Sequence, residues 1–268
     1  MRRVIFTLLA VFAVASLNAQ DLTILHLNDT HSHIDPQRTG DYKGRGGVIE
    51  QAAYIDSVRH AEGKRNVLLL HAGDYGQGTS YFTELEGNIE IDVMNSLGFD
   101  VACLGNHEFD NGIPELARRL SNLKADVVCA NYDFTGTALE NLVKPYVIVK
   151  KAGKKIGIIG LLTDIMDVVD SEIAKELQYQ DPVATVNRLA DYLKDEKNCD
   201  MVICLSHLGY SEDKELASRT RDVDVIVGGH SHTLLHKKQL VKNPDGEDVV
   251  VVQNWKWGLN VGCLTVDF

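Results

Sequence analysis

An α/β domain with much parallel strand pairing is what this sequence predicts, on three observations. Short apolar, β-branched runs recur along the chain, segments with helical apolar spacing lie between them, and cap and turn residues mark the joints. The runs are residues 22–27, 67–70, 101–104, 127–130, 201–205 and 223–227, each of a length that suits a buried strand rather than a helix. Between them, Val48, Ala52 and Ile55, then Leu116, Leu120 and Leu123, then Val183, Val186, Leu189 and Leu193 fall on helical faces. Pro114 and Pro182 suit a first helical turn, Asp181 can cap the helix that follows it, and Gly98 can close a helix over residues 89–97.

Two stretches read differently. Residues 147–150 and 155–159 flank Lys151-Ala152-Gly153-Lys154 as a hairpin, and residues 237–268 read as antiparallel finishing strands around the turn Asn243-Pro244-Asp245-Gly246. No repeat, low-complexity tract or linker interrupts the chain, so residues 20–268 are expected to form one domain.

The first 19 residues have the pattern of a signal peptide: Arg2 and Arg3, an apolar run too short to span a bilayer, and a small residue, Ala19, before the expected cut. The remaining chain is expected to be exported, with the periplasm as its compartment. Without the leader, 25 basic residues stand against 38 acidic ones, a balance that repels polynucleotide backbones and excludes nucleic-acid binding as the main role. The five cysteines show no CxxC pairing; Cys103, Cys129, Cys204 and Cys263 lie in apolar runs and read as buried thiols, and with Cys199 the odd count leaves at least one unpaired.

The chemistry gathers where the strands end. In open α/β sheets ligands collect beyond the carboxyl ends of strands, because the loops there converge on one crevice. Asp29 and His31 are two apart, so in an extended segment both point to one side; Asp74 follows Ala72-Gly73; Asn106-His107-Glu108 follows Gly105; His207 ends another strand; and His230-Ser231-His232 follows Gly228-Gly229. Any one of these is compatible with an ordinary turn, but their joint recurrence is a metal-ligand pattern. Mixed imidazole and carboxylate donors suit Zn²⁺, Mn²⁺ or Fe better than Ca²⁺ or Mg²⁺. No HExxH helix is present, which disfavours a zinc peptidase.

In this order the motifs match the calcineurin-like metallophosphoesterase family. Leu27-Asn28-Asp29-Thr30-His31-Ser32-His33 and Gly105-Asn106-His107-Glu108-Phe109-Asp110 resemble its 5′-nucleotidase branch, as does the close of the chain from Val251-Val252-Gln253 through Gly258 to Gly262. The resemblance implies a four-layer α/β/β/α sandwich and two divalent metal ions, one held by Asp29, His31, Asp74 and His232, the other by Asp74, Asn106, His207 and His230. It also implies catalytic roles for His107 and Asp110, the carboxylate orienting the imidazole beside a phosphate.

The activity implied is hydrolysis of phosphomonoesters, 5′-nucleotides first, by metal-activated water. Cyclic nucleotides, nucleotide sugars, or a non-catalytic metal-binding subunit are the alternatives. Familiar members of the branch carry a second domain that recognises the nucleoside. That domain is expected to be missing here or supplied by a separate polypeptide. His33 reads as a supporting residue and His71 as a core histidine. His26, His60, His236, Tyr75, Tyr81, Trp255 and Trp257 are given no role, and Asn254-Trp255 departs from the small residues common in the branch.

Overall fold

The computed structural model describes residues 21–268, so the signal-peptide reading of residues 1–19 lies outside the described residues. Two six-stranded sheets face each other. In the first, β1 (Leu22–Leu27), β2 (Val67–Ala72), β3 (Val101–Cys103), β4 (Asp126–Val128) and the two-residue strand Val143–Lys144 run parallel, and the last strand of the chain, Gly262–Val266, closes the edge antiparallel to β1. In the second, β5 (Lys154–Leu162), β6 (Met201–His207), β7 (Val225–Gly228) and β8 (Asp248–Gln253) run parallel, with Tyr146–Lys151 and Gln239–Lys242 antiparallel at the two edges.

Alternation along each strand divides the apolar residues into layers. Leu22, Ile24, Leu68, Leu70 and Val101 pack between the sheets against Ile156, Ile158, Ile203, Leu205 and Val227. Leu25, Leu27 and Leu69 face the other way, onto Ile55 of α1 (Val48–Glu62) and Ile91 and Met94 of α2 (Asn88–Leu97). On the far side, Ile159, Val202, Cys204 and Ile226 pack on Val186 and Leu189 of α3 (Pro182–Asp191) and Leu216 of α4 (Tyr210–Arg219). The order of layers is therefore α/β/β/α. Each such Leu or Ile contributes roughly 1.5–3 kcal/mol by leaving water, which is why fully apolar strands settle in the two inner layers.

The expected helix signals are at work. Asp181 accepts from the backbone N–H groups of Val183 and Ala184, Pro182 opens α3, and Gly98 closes α2 in the left-handed conformation with its N–H on Met94. The hairpin around residues 151–154 forms, and so does the one around residues 243–246. The two finishing strands nevertheless part: Asp248–Gln253 lies parallel to β7 in the second sheet, whereas Gly262–Val266 crosses to the first. Cys103, Cys129, Cys199 and Cys204 are buried free thiols; Cys263 is free and exposed, a correction to its reading as buried, because it sits on the outward side of an edge strand.

His26 lies on β1 opposite Gly262, where an added Cβ would run into its ring. Its Nδ1 has no hydrogen-bond partner, and burial pushes its pKa down to about 4. The folded state thus favours the neutral imidazole. The resulting contribution is full above the ordinary histidine pKa of about 6.5 and is lost as pH falls through about 4. In His26→Phe the acid limb of stability, followed by denaturant unfolding from pH 7 to 4, should be shallower than in the wild type by an amount of up to roughly 3 kcal/mol. Equal limbs would show that this histidine does not resist protonation.

Candidate metal centre

All the parallel strands that carry the motifs end on one edge of the sandwich. β1 delivers Asp29 and His31, β2 delivers Asp74, β3 delivers Asn106 and His107, β6 ends on His207, and β7 leads to His230 and His232. Gly73, in the left-handed region at φ +80°, permits the convergence: a Cβ there would lie 2.6 Å from His207 Nδ1 and 2.7 Å from Gly105 N.

The side chains meet in groups that could hold a metal ion. Asp29, His31 and His232 form one, Asp74, His207 and His230 another, and His31, Asp74 and His107 a third, with the donor atoms of each group within 4.8 Å of one another. His31 Nε2 and His232 Nε2 are 3.1 Å apart, and Asp29 Oδ1 is 3.3 Å from His232 Nε2. One oxygen, Asp74 Oδ2, lies 3.9 Å from His31 Nε2 on one side and 3.1 Å from His207 Nε2 on the other. Asn106 Oδ1 joins the second group at 3.0 Å from His230 Nδ1. All seven expected ligand positions are thus gathered around Asp74.

The donors fit divalent cations. Asp29 Oδ1 and His207 Nε2 are buried without a hydrogen-bond partner, an arrangement that costs free energy unless something electrophilic meets them. His207 Nδ1 lies 2.6 Å from the Ala72 carbonyl, which only accepts; the ring therefore donates through Nδ1 and turns Nε2 toward Asp74, where it would meet a cation once its proton is lost. Asp74 is held well below the usual carboxylate range: its burial acts the other way, but the His207 and His31 imidazoles outweigh it.

His107 stands beside this cluster, half-buried, its ring 5.4 Å from that of His31. Its Nδ1 is 2.9 Å from Asp110 Oδ2, and this contact, against burial, pushes its pKa up to about 9. His33 is stacked near Trp257 and bonded to Gln37, outside the cluster. His71 is buried, its Nε2 3.1 Å from Thr30 Oγ1, and burial takes it down to about 3, so it is neutral at pH 7.

The extended geometry expected for Asp29 and His31 is not what forms. Asp29, His31 and Ser32 have φ of 50°, 47° and 54°, so the segment coils through the left-handed region and still brings both side chains into one group with His232. Tertiary hydrogen bonds impose it: Asp29, His31 and Ser32 donate their N–H groups to the carbonyls of Gly73, Asp74 and Tyr75.

Three supporting residues escaped the sequence reading although each lies in or next to a quoted motif. Glu108, fully buried, accepts from the backbone N–H groups of Asp74, Gly76 and Gly105, tying the β2 and β3 loops together; burial and the charge of Asp74 push it up to about 7. Asn28 donates to Asp29 Oδ2 and to the Trp255 carbonyl. Gln253 accepts from Thr233 N and Ser231 Oγ and donates to the Gly229 carbonyl, which sets the loop of His230 and His232. The available signal was position: Asn28 and Glu108 lie within two residues of expected ligands, and Gln253 ends an apolar strand run.

Fold and site together define a metallophosphoesterase, and the chain belongs to the calcineurin-like phosphoesterase family, whose model matches residues 22–234. Members of this family use a pair of divalent cations. The chain is 35% identical to a probable 5′-nucleotidase of Treponema pallidum, over 92% of this chain and 45% of that protein, and 36% identical to an NAD 5′-nucleotidase of Haemophilus influenzae, over 97% and 46%. A crystal structure of a 5′-nucleotidase precursor from Thermus thermophilus superposes with a TM-score of 0.85 at 39% identity, covering 92% of this chain and 51% of that one. The chain spans about half the length of these relatives.

Replacing Asp74 by Asn removes one charge and a good oxygen donor from the position between the two groups. The variant should lose both cations together, seen as metal content falling from two per chain toward none at equal protein fold by circular dichroism. Selective loss of one cation would place Asp74 in a single site.

Proposed function

We propose that this chain is an exported phosphoesterase that binds two divalent cations and hydrolyses phosphomonoesters, 5′-nucleotides first among them. The observation that carries the reading is the single carboxylate oxygen of Asp74 facing two separate groups of imidazole and carboxylate donors. Asp29, His31, Asp74 and His232 are the proposed ligands of one cation, and Asp74, Asn106, His207 and His230 of the other. Two such cations, when bound, supply an activated water and charge stabilisation for the phosphate oxygens.

The chain's own residues do the rest. Asp110 fixes the orientation of His107 through Nδ1, leaving Nε2 to donate to a phosphate oxygen as negative charge builds there. Asn28, Glu108 and Gln253 hold the ligand loops, so the donors need little rearrangement on binding. The 5′-nucleotide preference draws support from the names of the relatives. Selection of the base is left to residues outside those described at the metal centre, whether on a further domain or on a separate polypeptide. Export draws support from the leader pattern, with the periplasm as the proposed compartment; among the described residues no helix is long and apolar enough to cross a membrane.

The test is hydrolysis of an aryl phosphate, AMP, a cyclic nucleotide and a nucleotide sugar by purified chain, stripped and then reloaded with Zn²⁺ or Mn²⁺. Metal-dependent release of phosphate from the monoesters is expected. Tight binding of two cations without turnover of any ester would favour a non-catalytic metal-binding subunit. His107→Ala should keep both cations while kcat falls roughly a hundredfold, the scale of losing one donor to developing charge. Loss of metal in proportion to activity would make His107 a structural member of the site.

A further inference from the structure

A small cavity lies against the loop that carries Asp29 and His31, yet none of the proposed ligands lines it. Its volume is about 20 Å³, room for the centre of one water molecule. Ser32, His71, Tyr75 and Glu90 line it, at 1%, 1%, 4% and 3% exposure, among apolar neighbours that include Leu27 and Met94. His71 Nδ1 and Tyr75 OH have no hydrogen-bond partner in the protein, and the Ser32 hydroxyl and the Glu90 carboxyl have none beyond each other. Native interiors rarely leave such groups short of partners, and here four residues that carry them line a single void.

We propose that this cavity is a built site for one ordered water molecule, and that Glu90 acts through that water as a positioning residue for the Asp29–Ser32 loop. The second half rests on the metal-centre reading given above. A water brings two donors and two acceptors, which matches what faces the void: Glu90 and His71 Nδ1 can accept, and the Ser32 and Tyr75 hydroxyls can donate. Hydroxyl and carboxyl groups of three residues offer fewer oxygens than the six or more a hard cation takes, so water is the fitting occupant.

The link to the ligands is direct. If water donates to Nδ1 of the neutral His71, the ring proton must sit on Nε2, which then donates to Thr30 Oγ1 at 3.1 Å. Thr30 stands between Asp29 and His31, and Ser32 follows them. Three of these four residues hold left-handed backbone that L side chains rarely adopt, and such geometry persists only where several contacts fix it at once. Backbone bonds to residues 73–75 supply one set, the Ser32 carbonyl taking the Thr79 hydroxyl supplies another, and the cavity supplies the third. Burial also holds the Glu90 carboxyl above its ordinary range, against the opposing effect of the Ser32 hydroxyl.

The experiment is a high-resolution crystal structure of the metal-loaded chain, together with metal titrations of the wild type, Glu90→Gln and Glu90→Leu. One ordered water touching Glu90, Ser32 and His71 is expected in the wild type. Glu90→Gln should keep the water and bind both cations within about twofold of wild type. Glu90→Leu should expel it and weaken the cation held by Asp29, His31 and His232 roughly tenfold, the lower end for losing a supporting contact, while sparing the other. A dry cavity, a cation inside it, or Glu90→Leu weakening both cations equally or neither would overturn the proposal. If Glu90→Leu does not fold, Ser32→Ala takes its place with the same site-selective loss expected, and unchanged affinities there would overturn the proposal equally. A wild type that binds no cation pair would instead refute the metal-centre reading, and the crystallographic water would then still decide the first half.

Discussion

Two carboxylates buried side by side at one end of the sandwich constrain everything around them. Asp29 and Asp74 are 0% and 2% exposed, and a buried charge without compensation is among the most costly features a fold can carry. Protein donors compensate only part of it. Asp29 Oδ2 takes hydrogen bonds from Asn28 and from the His230 N–H, while Asp29 Oδ1 takes none. Within ion-pair distance the only basic groups on either carboxylate are histidines among the described residues. A lysine or arginine there would neutralise the pair permanently; histidine can instead give up its proton and share a cation with the carboxylate.

The surrounding residues follow the same logic, being chosen to orient without adding positive charge. Glu108 tethers two loops through backbone N–H groups, and Asn28 and Gln253 work through amides. The nearest buried guanidinium, Arg119, donates to the Glu108 carbonyl rather than reaching the ligands, and lies over Phe82. The charge of Asp29 and Asp74 is therefore kept available, and the cost of keeping it so falls on the packing of two sheets. Those sheets are fastened near the site: Ala130 N donates to the Gly160 carbonyl, and the Asn131 side chain makes two bonds to the backbone of Leu162.

Asn131 also marks how far the sequence could be read. It ends a strand-like run in the same manner as Asp29, Asp74 or His207, yet both ends of its amide are engaged by the backbone of Leu162, joining one sheet to the other. Strand positions and the polar residues ending them were legible because fully apolar β-branched runs have few alternatives to burial. Which strands share a sheet was not, since the last strand leaves its neighbour to pair with β1, more than a hundred residues away, while Asp248–Gln253 stays beside β7. The left-handed path at Asp29, His31 and Ser32 was hidden for a similar reason: nothing local favours it, and bonds to residues 73–75 create it. Cys263 misled because period and hydropathy are alike for the two faces of an edge strand, and only the neighbouring layer decides which is covered.

Exposure changes across the centre in a way that gives it a direction. Asp29, Asp74, His207 and His31 are buried, whereas His107, His230 and His232 are partly open to solvent. With cations in the proposed positions, the carboxylates form a floor that fixes their spacing, and the open histidines form the side from which a phosphate arrives. In that arrangement the core holds the buried donors rigidly, His230 and His232 complete the two groups from the open side, and His107 beside them is left to meet a phosphate. On the proposed reading, discrimination among leaving groups is then left to contacts beyond these residues.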